Sequence, residues 1–290
     1  MKKSYLKYIF ALLLFGSNGI VASNIKLNSY EIVLLRTFIG SLLLIAVFII
    51  TKNRFSFFKS RKSFLLLVVS GISMGASWMF LYEAYKQIGV SIASLCYYCG
   101  PVIVMVLSPI IFKEKLTWVK ITGFISVLIG ICLINIKALS EGSNLFGIVC
   151  GLMSAVMYSF MVIFNKKAVK ITGMENSTLQ LTISCLTVAI FVLFKQGLII
   201  HIPSASIPWI FCLGLVNTGI GCFLYFSSID DLPVQSVAVI GYLEPLSAVI
   251  MSVLLLHEEM SIIQIIGAIC IIGGAIWSEG IIKGSISTEK

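Results

Sequence analysis

Three ionisable side chains lie within long apolar runs of this 290-residue sequence: Arg36, Glu83 and Glu244. If these runs cross a bilayer, each charge costs about 2.5–3.5 kcal/mol near the membrane centre on insertion scales. Side chains kept at such a cost commonly bind a solute, carry a proton or hold helices together. These three residues are therefore the first candidates for function.

Glu244 lies about ten residues into a run of about 23 and directly precedes Pro245. Proline removes a backbone donor and frees a carbonyl one turn earlier, near Gly241, so we expect a helix break there and a second one at Pro101. Beside a break, a carboxylate could bind a cationic group or carry a coupling proton. The alternative is a Glu that hydrogen-bonds a neighbouring helix and stabilises the fold.

Arg36 and Glu83 each leave several interpretations open. Arg36 could bind a substrate carboxylate, form an ion pair with Glu83, or reach toward the outer headgroups. Its structural roles, the ion pair and the headgroup contact, are favoured. Glu83 lies about one turn from the predicted outer end of its run, so it is either interfacial or a ligand for a cationic substrate.

Aromatic and amide side chains are candidates for lining a solute cavity. Most aromatic stripes are packing or interfacial belts, but rings around a cavity suit flat apolar solutes and ammonium groups. The amides could instead form interhelical hydrogen bonds. The substrate-binding candidates, together with Glu83 and Glu244, are Asn18, Trp78, Tyr82, Tyr98, Tyr158, Asn217, Tyr225 and Tyr242.

Enzyme and cofactor chemistry finds little support. All eight Cys lie in apolar runs, and the C-x-x-C at Cys96 and Cys99 has no supporting His, since the only two are His201 and His257. No H-E-x-x-H, Walker or dinucleotide motif occurs. We expect no metal, no cofactor and no catalytic residue, which disfavours an intramembrane enzyme and direct use of ATP.

The composition indicates a membrane protein. Hydrophobic residues make up 59% and charged residues 11%, with a mean hydropathy of +1.06, whereas soluble domains are about a quarter charged. The net charge of +9 lies in short loops between apolar runs, so nucleic-acid binding is not expected. Ten runs are long enough to span a bilayer: about 5–23, 30–50, 64–86, 90–112, 116–136, 144–164, 176–195, 206–227, 234–256 and 261–282.

Basic residues predict the orientation. If the N-terminus is cytoplasmic, 16 of the 21 Lys and Arg face the cytoplasm and four face outside. The positive-inside rule then puts both termini in the cytoplasm. The first run also resembles a secretory signal, but nine further runs favour a retained span.

The sequence repeats at a shift of 144 residues. Pro101 aligns with Pro245, Glu114 with Glu258, and Tyr98 with Tyr242; Gly123 and Gly130 align with Gly267 and Gly274 as packing seams, either within the chain or between subunits. We therefore divide the chain into five-helix halves, 1–143 and 144–290. Because five is odd, the second half enters the membrane from the opposite side, an inverted repeat typical of secondary transporters.

Several motifs together resemble one family. They are Phe15-Gly16-Ser17-Asn18, where relatives usually have Trp-Gly, Leu35-Arg36-Thr37-Phe38, Tyr242-Leu243-Glu244-Pro245, and the helix-end residues Glu114 and Glu258. The chain resembles the drug/metabolite transporter superfamily, specifically its EamA-type ten-helix permeases. That resemblance implies export of a small metabolite and leaves the substrate open.

The sequence thus favours a secondary transporter working by alternating access, moving an amino acid or related amphipathic solute, with export favoured. The alternatives are an importer of an organic cation such as a quaternary amine, and a lipid-linked sugar flippase. The expected partners are a small-molecule substrate and the lipid bilayer, and the chain is a monomer or homodimer. The Lys- and Ile-rich composition indicates the cytoplasmic membrane of a bacterium.

Overall fold

The protein was analysed as a computed structural model, which describes residues 2–53, 55, 58, 60–134, 144–197, 200–256 and 261–280. Within these ranges the chain is helical and contains no strand. His257 and Glu258, named above, lie outside the described residues, as do five of the basic residues counted for the orientation: Arg54, Lys59, Lys137, Lys283 and Lys290.

The helices of the first half are α1 (Lys2–Gly16), α2 (Asn18–Ser23), α3 (Ser29–Ile50), α4 (Arg61–Tyr97), α5 (Cys99–Phe112) and α6 (Trp118–Ile134). Those of the second half are α7 (Leu145–Lys167), α8 (Gly173–Gln196), α9 (Ile207–Phe211), a π-helical segment (Cys212–Ile220), α10 (Gly221–Ile229), α11 (Val234–Ile240), α12 (Leu243–Leu256) and α13 (Ile262–Gly280).

Among the residues that the structure describes, six helical segments are long and apolar enough to cross a membrane: 2–23, 29–50, 61–88, 145–167, 173–196 and 204–229. Three shorter apolar helices cover 99–112, 118–133 and 265–278. The chain is therefore an all-helical membrane protein. The count of ten spans stays a prediction.

The shift of 144 residues recurs in the helix boundaries. Helices α3, α5 and α6 begin at Ser29, Cys99 and Trp118, and α8, α12 and α13 begin 144 residues later. Both α5 and α12 contain 14 residues. The internal sequence repeat is therefore also a repeat of secondary structure.

Equivalent helices of the two halves run antiparallel. In α3 and α8, Asn28 contacts Gln196 and Tyr30 contacts Phe191, whereas Gly40 packs near Leu181. In α6 and α13, Gly123 lies against Gly274 and Gly130 against Gly267. A repeat of the same orientation would place these pairs parallel.

Helix α4 contains a bend between Ile88 and Ala93, within the range Arg61–Tyr97. Its contacts with α7 run in opposite directions before and after this bend. Its first arm runs antiparallel to α7, with Ser70 donating to the Met161 carbonyl and Ser77 to that of Ser154. Beyond the bend, Cys96 packs on Gly151 and Gly100 on Tyr158, in the opposite direction. The two arms correspond to the third predicted span and the start of the fourth.

Four interruptions of regular α-helix occur inside the bundle. Ser17 separates α1 from α2, Tyr98 separates α4 from α5, and Gly241-Tyr242 separates α11 from α12. Pro101 and Pro245 each lie three residues after the Tyr of their break, and proline cannot supply the backbone donor that a continuous helix needs. The fourth interruption is the π-helical segment Cys212–Ile220, in which the Thr218 side-chain hydroxyl donates to the Leu213 carbonyl.

Helices α6 and α13 cross at a seam of four glycines. A Cβ at Gly123 would lie 2.7 Å from the Gly274 carbonyl oxygen, and one at Gly130 would lie 2.6 Å from that of Gly267. Contacts this close leave no room for a side chain. The seam lies within one chain, so it is not available as a contact between subunits.

Gly274→Ala should lower the thermal stability of the purified protein, because its Cβ would lie 2.5 Å from the Gly123 carbonyl oxygen. Overpacking of this kind costs about 1–3 kcal/mol. The matched control is Gly273→Ala, because nothing lies within 4 Å of a Cβ there. Thermal unfolding in detergent checks this, and equal melting temperatures for the two variants would contradict the seam.

Candidate functional site

A central cavity lies between the two halves. Six lining residues come from the first half and six from the second: Phe15, Asn18, Met74, Ser77, Trp78 and Tyr97, and Tyr158, Met161, Cys222, Tyr225, Phe226 and Glu244. The cavity volume is about 50 Å³. Since one water occupies about 10–15 Å³ on this measure, there is room for a few waters and not for a metabolite.

The helix interruptions position four of the residues that line the cavity. Asn18 begins α2 immediately after the break at Ser17, and Glu244 lies just beyond the break at Gly241-Tyr242. Tyr97 is the last residue of α4, and Cys222 follows the π-helical segment. Non-helical backbone at membrane depth is tolerated only where protein or a cavity surrounds it, so the breaks and the cavity occur together.

The cavity walls combine acceptors with aromatic rings. Glu244 contributes a carboxylate, and the buried Oδ1 of Asn18 has no hydrogen-bond partner. Tyr158 and Tyr225 bring their hydroxyl oxygens to 3.3 Å from each other. Two acceptors beside rings can receive a solute that carries an ammonium or another donor group.

Arg36 is buried beside this cavity with only 3% of its surface exposed. Its Nε donates to Thr218 Oγ1 at 2.9 Å and Nη1 to the Tyr82 hydroxyl at 3.4 Å, and its guanidinium lies 4.6 Å from the Trp78 ring centroid. The Nη2 group has no partner. Arg36 therefore does not reach the headgroups, and the structure does not pair it with Glu83.

A second cavity, the outer vestibule, has a volume of about 390 Å³ and is lined by Leu27, Asn28, Ser29, Tyr30, Tyr82, Glu83, Lys86, Lys195 and Gln196. Glu83 accepts from the Tyr30 hydroxyl and from Gln87 Nε2, and lies 3.8 Å from Lys195 Nζ. Asn28 and Glu31 form a capping box that begins α3 here. Tyr82 and Glu83 thus belong to the vestibule and do not line the central cavity.

A row of three contacting side chains separates the two cavities. Tyr82 lines the vestibule, Trp78 lines the central cavity, and the Arg36 guanidinium contacts both. A solute passing from one cavity to the other has to displace these contacts. We refer to these three residues as the outer partition.

Three predicted site residues hold helix breaks together instead of lining the cavity. The Tyr242 hydroxyl donates to the Tyr98 carbonyl at 2.7 Å, which joins the breaks of the two halves. Asn217 Nδ2 donates to the Leu14 carbonyl and to Ser17 Oγ, at 2.8 and 2.7 Å. These bonds tie the backbone at each break to a neighbouring helix.

At the opposite end from the vestibule lies an inner polar cluster, made of Ser4, Glu114, Asn165, Lys166, Asn176, Gln180, Asp230 and Asp231. Lys166 Nζ donates to the carbonyls of Ile229, Asp230 and Leu232 at 2.6–3.1 Å. Glu114 accepts from the amides of Val234 and Gln235, which caps α11. Burial raises the pKa of Asp230, at the end of α10, to about 6.

The two ends of the bundle hold different groups. Asn28, Lys86 and Lys195 meet in the vestibule. Glu114, Lys166 and Asp230 meet in the inner polar cluster. The sequence predicts Lys86 and Lys195 outside and Lys166 in the cytoplasm, and this orientation stays a prediction.

Sequence reasoning missed several cavity residues: Phe15, Met74, Ser77, Met161, Cys222 and Phe226. It also did not single out Tyr97. The first six are apolar or small, and in an apolar run such residues do not reveal which face meets a cavity. A usable signal was the position of Phe15 and Tyr97 next to the breaks. Among the residues the structure describes, no group of three His, Cys, Asp or Glu could hold a metal.

A bundle of apolar helices, interrupted around a cavity between two antiparallel halves, is the architecture of a membrane transport protein. The sequence model of the EamA-like transporter family matches the chain twice, at residues 2–136 and 145–279. The chain belongs to this family.

Relatives with similar sequences carry general descriptions. The uncharacterized transporter YxxF of Bacillus subtilis is 23% identical over 93% of this chain and 87% of its own length. An uncharacterized transporter of Archaeoglobus fulgidus is 23% identical over 93% and 95%. A protein crystal structure has the same fold, with a TM-score of 0.81 and 17% identity over 97% of this chain and 98% of its own.

Asn217→Leu should destabilise the protein, because it removes the two hydrogen bonds by which Asn217 joins the break in the first span, to the Leu14 carbonyl and to Ser17 Oγ. A hydrogen bond of this kind contributes about 0.5–1.5 kcal/mol. Asn18→Leu is the matched control, since it removes an acceptor that already has no partner. Thermal unfolding in detergent compares them, and an equal loss in both variants would overturn these roles.

Asp230 should make the protein less stable as pH rises. Its pKa of about 6 in the folded state exceeds the usual 3.8. Between these two pH values the folded protein therefore binds more protons than the unfolded protein does. The free energy of unfolding consequently increases as pH falls through 6. The charged groups around it are Lys166, Asp231 and Glu114.

Melting temperatures measured from about pH 8 to about pH 5 test this assignment. We expect Asp230→Asn to flatten the rise in stability on acidification. Asp231→Asn, whose carboxylate accepts from Ser4, is the control that keeps the rise. An unchanged pH profile in Asp230→Asn would exclude Asp230 as its source.

Proposed function

We propose that the chain crosses the membrane ten times, as two inverted five-helix halves with both termini in the cytoplasm. The antiparallel course of α3 against α8 and of α6 against α13 supports the inversion. The separation of the vestibule from the inner polar cluster supports the assignment of the two faces. The proposed location is the cytoplasmic membrane of a bacterium.

With this proposed topology, the protein is a secondary transporter that moves a small metabolite by alternating access. The observation that carries this proposal is the central cavity, built equally by the two halves and placed at their helix interruptions. Substrate sites of inverted-repeat transporters lie at such a position. Because the cavity now holds only a few waters, its walls have to part toward one face to admit a solute.

The proposed substrate is an amino acid or a related amphipathic solute, with export the favoured direction. Glu244 and the unpaired Asn18 oxygen suit its ammonium group, and the rings of Trp78, Tyr158 and Tyr225 suit its apolar part. The unpaired Nη2 of Arg36 is a donor for its carboxylate. Import of an organic cation is the second candidate, favoured by the same carboxylate and rings.

Glu244 is the proposed coupling residue. It is the acidic residue among those lining the central cavity, and the positive charge of Arg36 acts on it although no salt bridge joins the two within 4 Å. A carboxylate that faces a solute cavity can exchange a proton for a cationic substrate. This makes the Glu244 proton a means of driving transport with a pH gradient.

Glu244→Gln should abolish transport in proteoliposomes while the melting temperature stays that of the wild type, because the amide keeps the shape but loses the charge. The screen uses labelled amino acids and quaternary amines with and without a pH gradient. Glu31→Gln is the matched control, since Gln also completes a capping box. It should transport as the wild type does.

The outcomes of this transport screen distinguish proton coupling, a structural role of Glu244 and a different substrate class. A substrate that responds to the pH gradient supports proton coupling, and one that ignores the gradient contradicts it. Loss of folded protein in Glu244→Gln would instead show that Glu244 stabilises the fold. If the folded wild type transports no compound of the panel, this would count against a small metabolite as the substrate and favour the lipid-linked sugar flippase.

A further inference from the structure

The ammonium of Lys195 lies in a pocket of groups that attract cations. Its Nζ is 4.1 Å from the Tyr30 ring centroid, 5.4 Å from the Phe191 ring centroid, 2.9 Å from the Tyr30 hydroxyl and 3.8 Å from a Glu83 carboxylate oxygen. Two ring faces and a carboxylate are the groups with which proteins bind organic ammonium ions.

This arrangement is held in place without Lys195. The Glu83 carboxylate accepts from the Tyr30 hydroxyl and, through its other oxygen, from Gln87 Nε2 at 3.0 Å. The Tyr30 and Phe191 rings pack on each other with centroids 5.4 Å apart. Removal of the Lys195 side chain therefore leaves the rings and the carboxylate in position.

Lys195 itself is only loosely bound. Its side chain is 45% exposed whereas that of Glu83 is 17% exposed, and exposed ion pairs contribute little to stability. It lies in the last turn of α8, which ends at Gly197 with a left-handed φ of 81°. A flexible four-carbon stem at a helix end can move its ammonium into solvent.

The outer vestibule provides the space for a free ligand beside this pocket. Its volume is about 390 Å³, and Tyr30, Tyr82, Glu83 and Lys195 all line it. We propose that the vestibule is a second binding site, selective for small organic cations with a primary or quaternary ammonium head, and that the Lys195 ammonium occupies this site until such a ligand displaces it. This site is separate from the central cavity and does not depend on the proposed transport.

The probe is choline, with its uncharged carbon isostere 3,3-dimethylbutan-1-ol as the reference, titrated calorimetrically into full-length protein in nanodiscs. Lys195→Ala should bind choline about five-fold more tightly than the wild type or better, because the competing ammonium is gone and cation–π contacts are worth about that factor. The isostere should show no such gain. Adding Glu83→Gln to Lys195→Ala should remove the gain.

The matched control is Lys86→Ala, since Lys86 lines the same vestibule and lacks the ring contacts of Lys195. It should bind choline as the wild type does. An equal gain in both Lys variants would show a general charge effect and overturn the proposal. Folded Lys195→Ala protein that binds choline no better than the wild type would overturn it as well.

A further variant tests whether the ligand binds in the vestibule. Glu244→Gln in the Lys195→Ala background should leave the gain in choline affinity intact, and loss of the gain would overturn the proposal by assigning the ligand to the central cavity.

Discussion

The rest of the structure depends on the need to satisfy every backbone polar group away from water. A continuous apolar helix does this by itself, but a broken one exposes carbonyls that need donors. Side chains donate to carbonyls at three of the four interruptions: Asn217 to that of Leu14, Tyr242 to that of Tyr98, Ser159 to that of Gly100, and Thr218 to that of Leu213. Because three of these donors come from other helices, the breaks have to lie where helices converge, and the cavity forms there.

The same requirement explains which predictions from sequence succeed. Membership of the family, the apolar helices and the repeat of 144 residues follow from hydropathy and from spaced Pro, Gly and Glu residues, and the comparisons and helix boundaries agree with them. The positions of two of the interruptions, at Tyr98 and at Gly241-Tyr242, follow from Pro101 and Pro245, because a missing donor is a property of the residue itself. Such signals are local, so they survive in a single sequence.

The residues that line the central cavity could not be predicted from the sequence in the same way. Glu244 and Asn18 do reach the central cavity, whereas the equally polar Asn217 bonds a backbone carbonyl and Glu83 lies in the vestibule. Tyr242 is fully buried against its symmetry mate. A polar residue in an apolar run indicates that it avoids lipid, but only packing decides whether it meets a cavity, a carbonyl or another side chain.

The inverted repeat places the outer partition and the inner polar cluster at equivalent positions of the two halves, but their chemistry differs. Arg36 and Gln180 are repeat mates, each seven residues into its helix, but α3 and α8 begin at opposite ends of the bundle. Arg36 therefore forms the outer partition, whereas Gln180 accepts from Asn165 in the inner polar cluster. The inner polar cluster binds its buried cation, Lys166, to three carbonyls, whereas the outer partition contains a buried cation with an unpaired donor. An anionic group can therefore bind Arg36 without first breaking a hydrogen bond, whereas at Lys166 it has to replace one of three. In the proposed topology, the carboxylate of the proposed substrate thus favours the partition that faces outside, which is the direction that export requires.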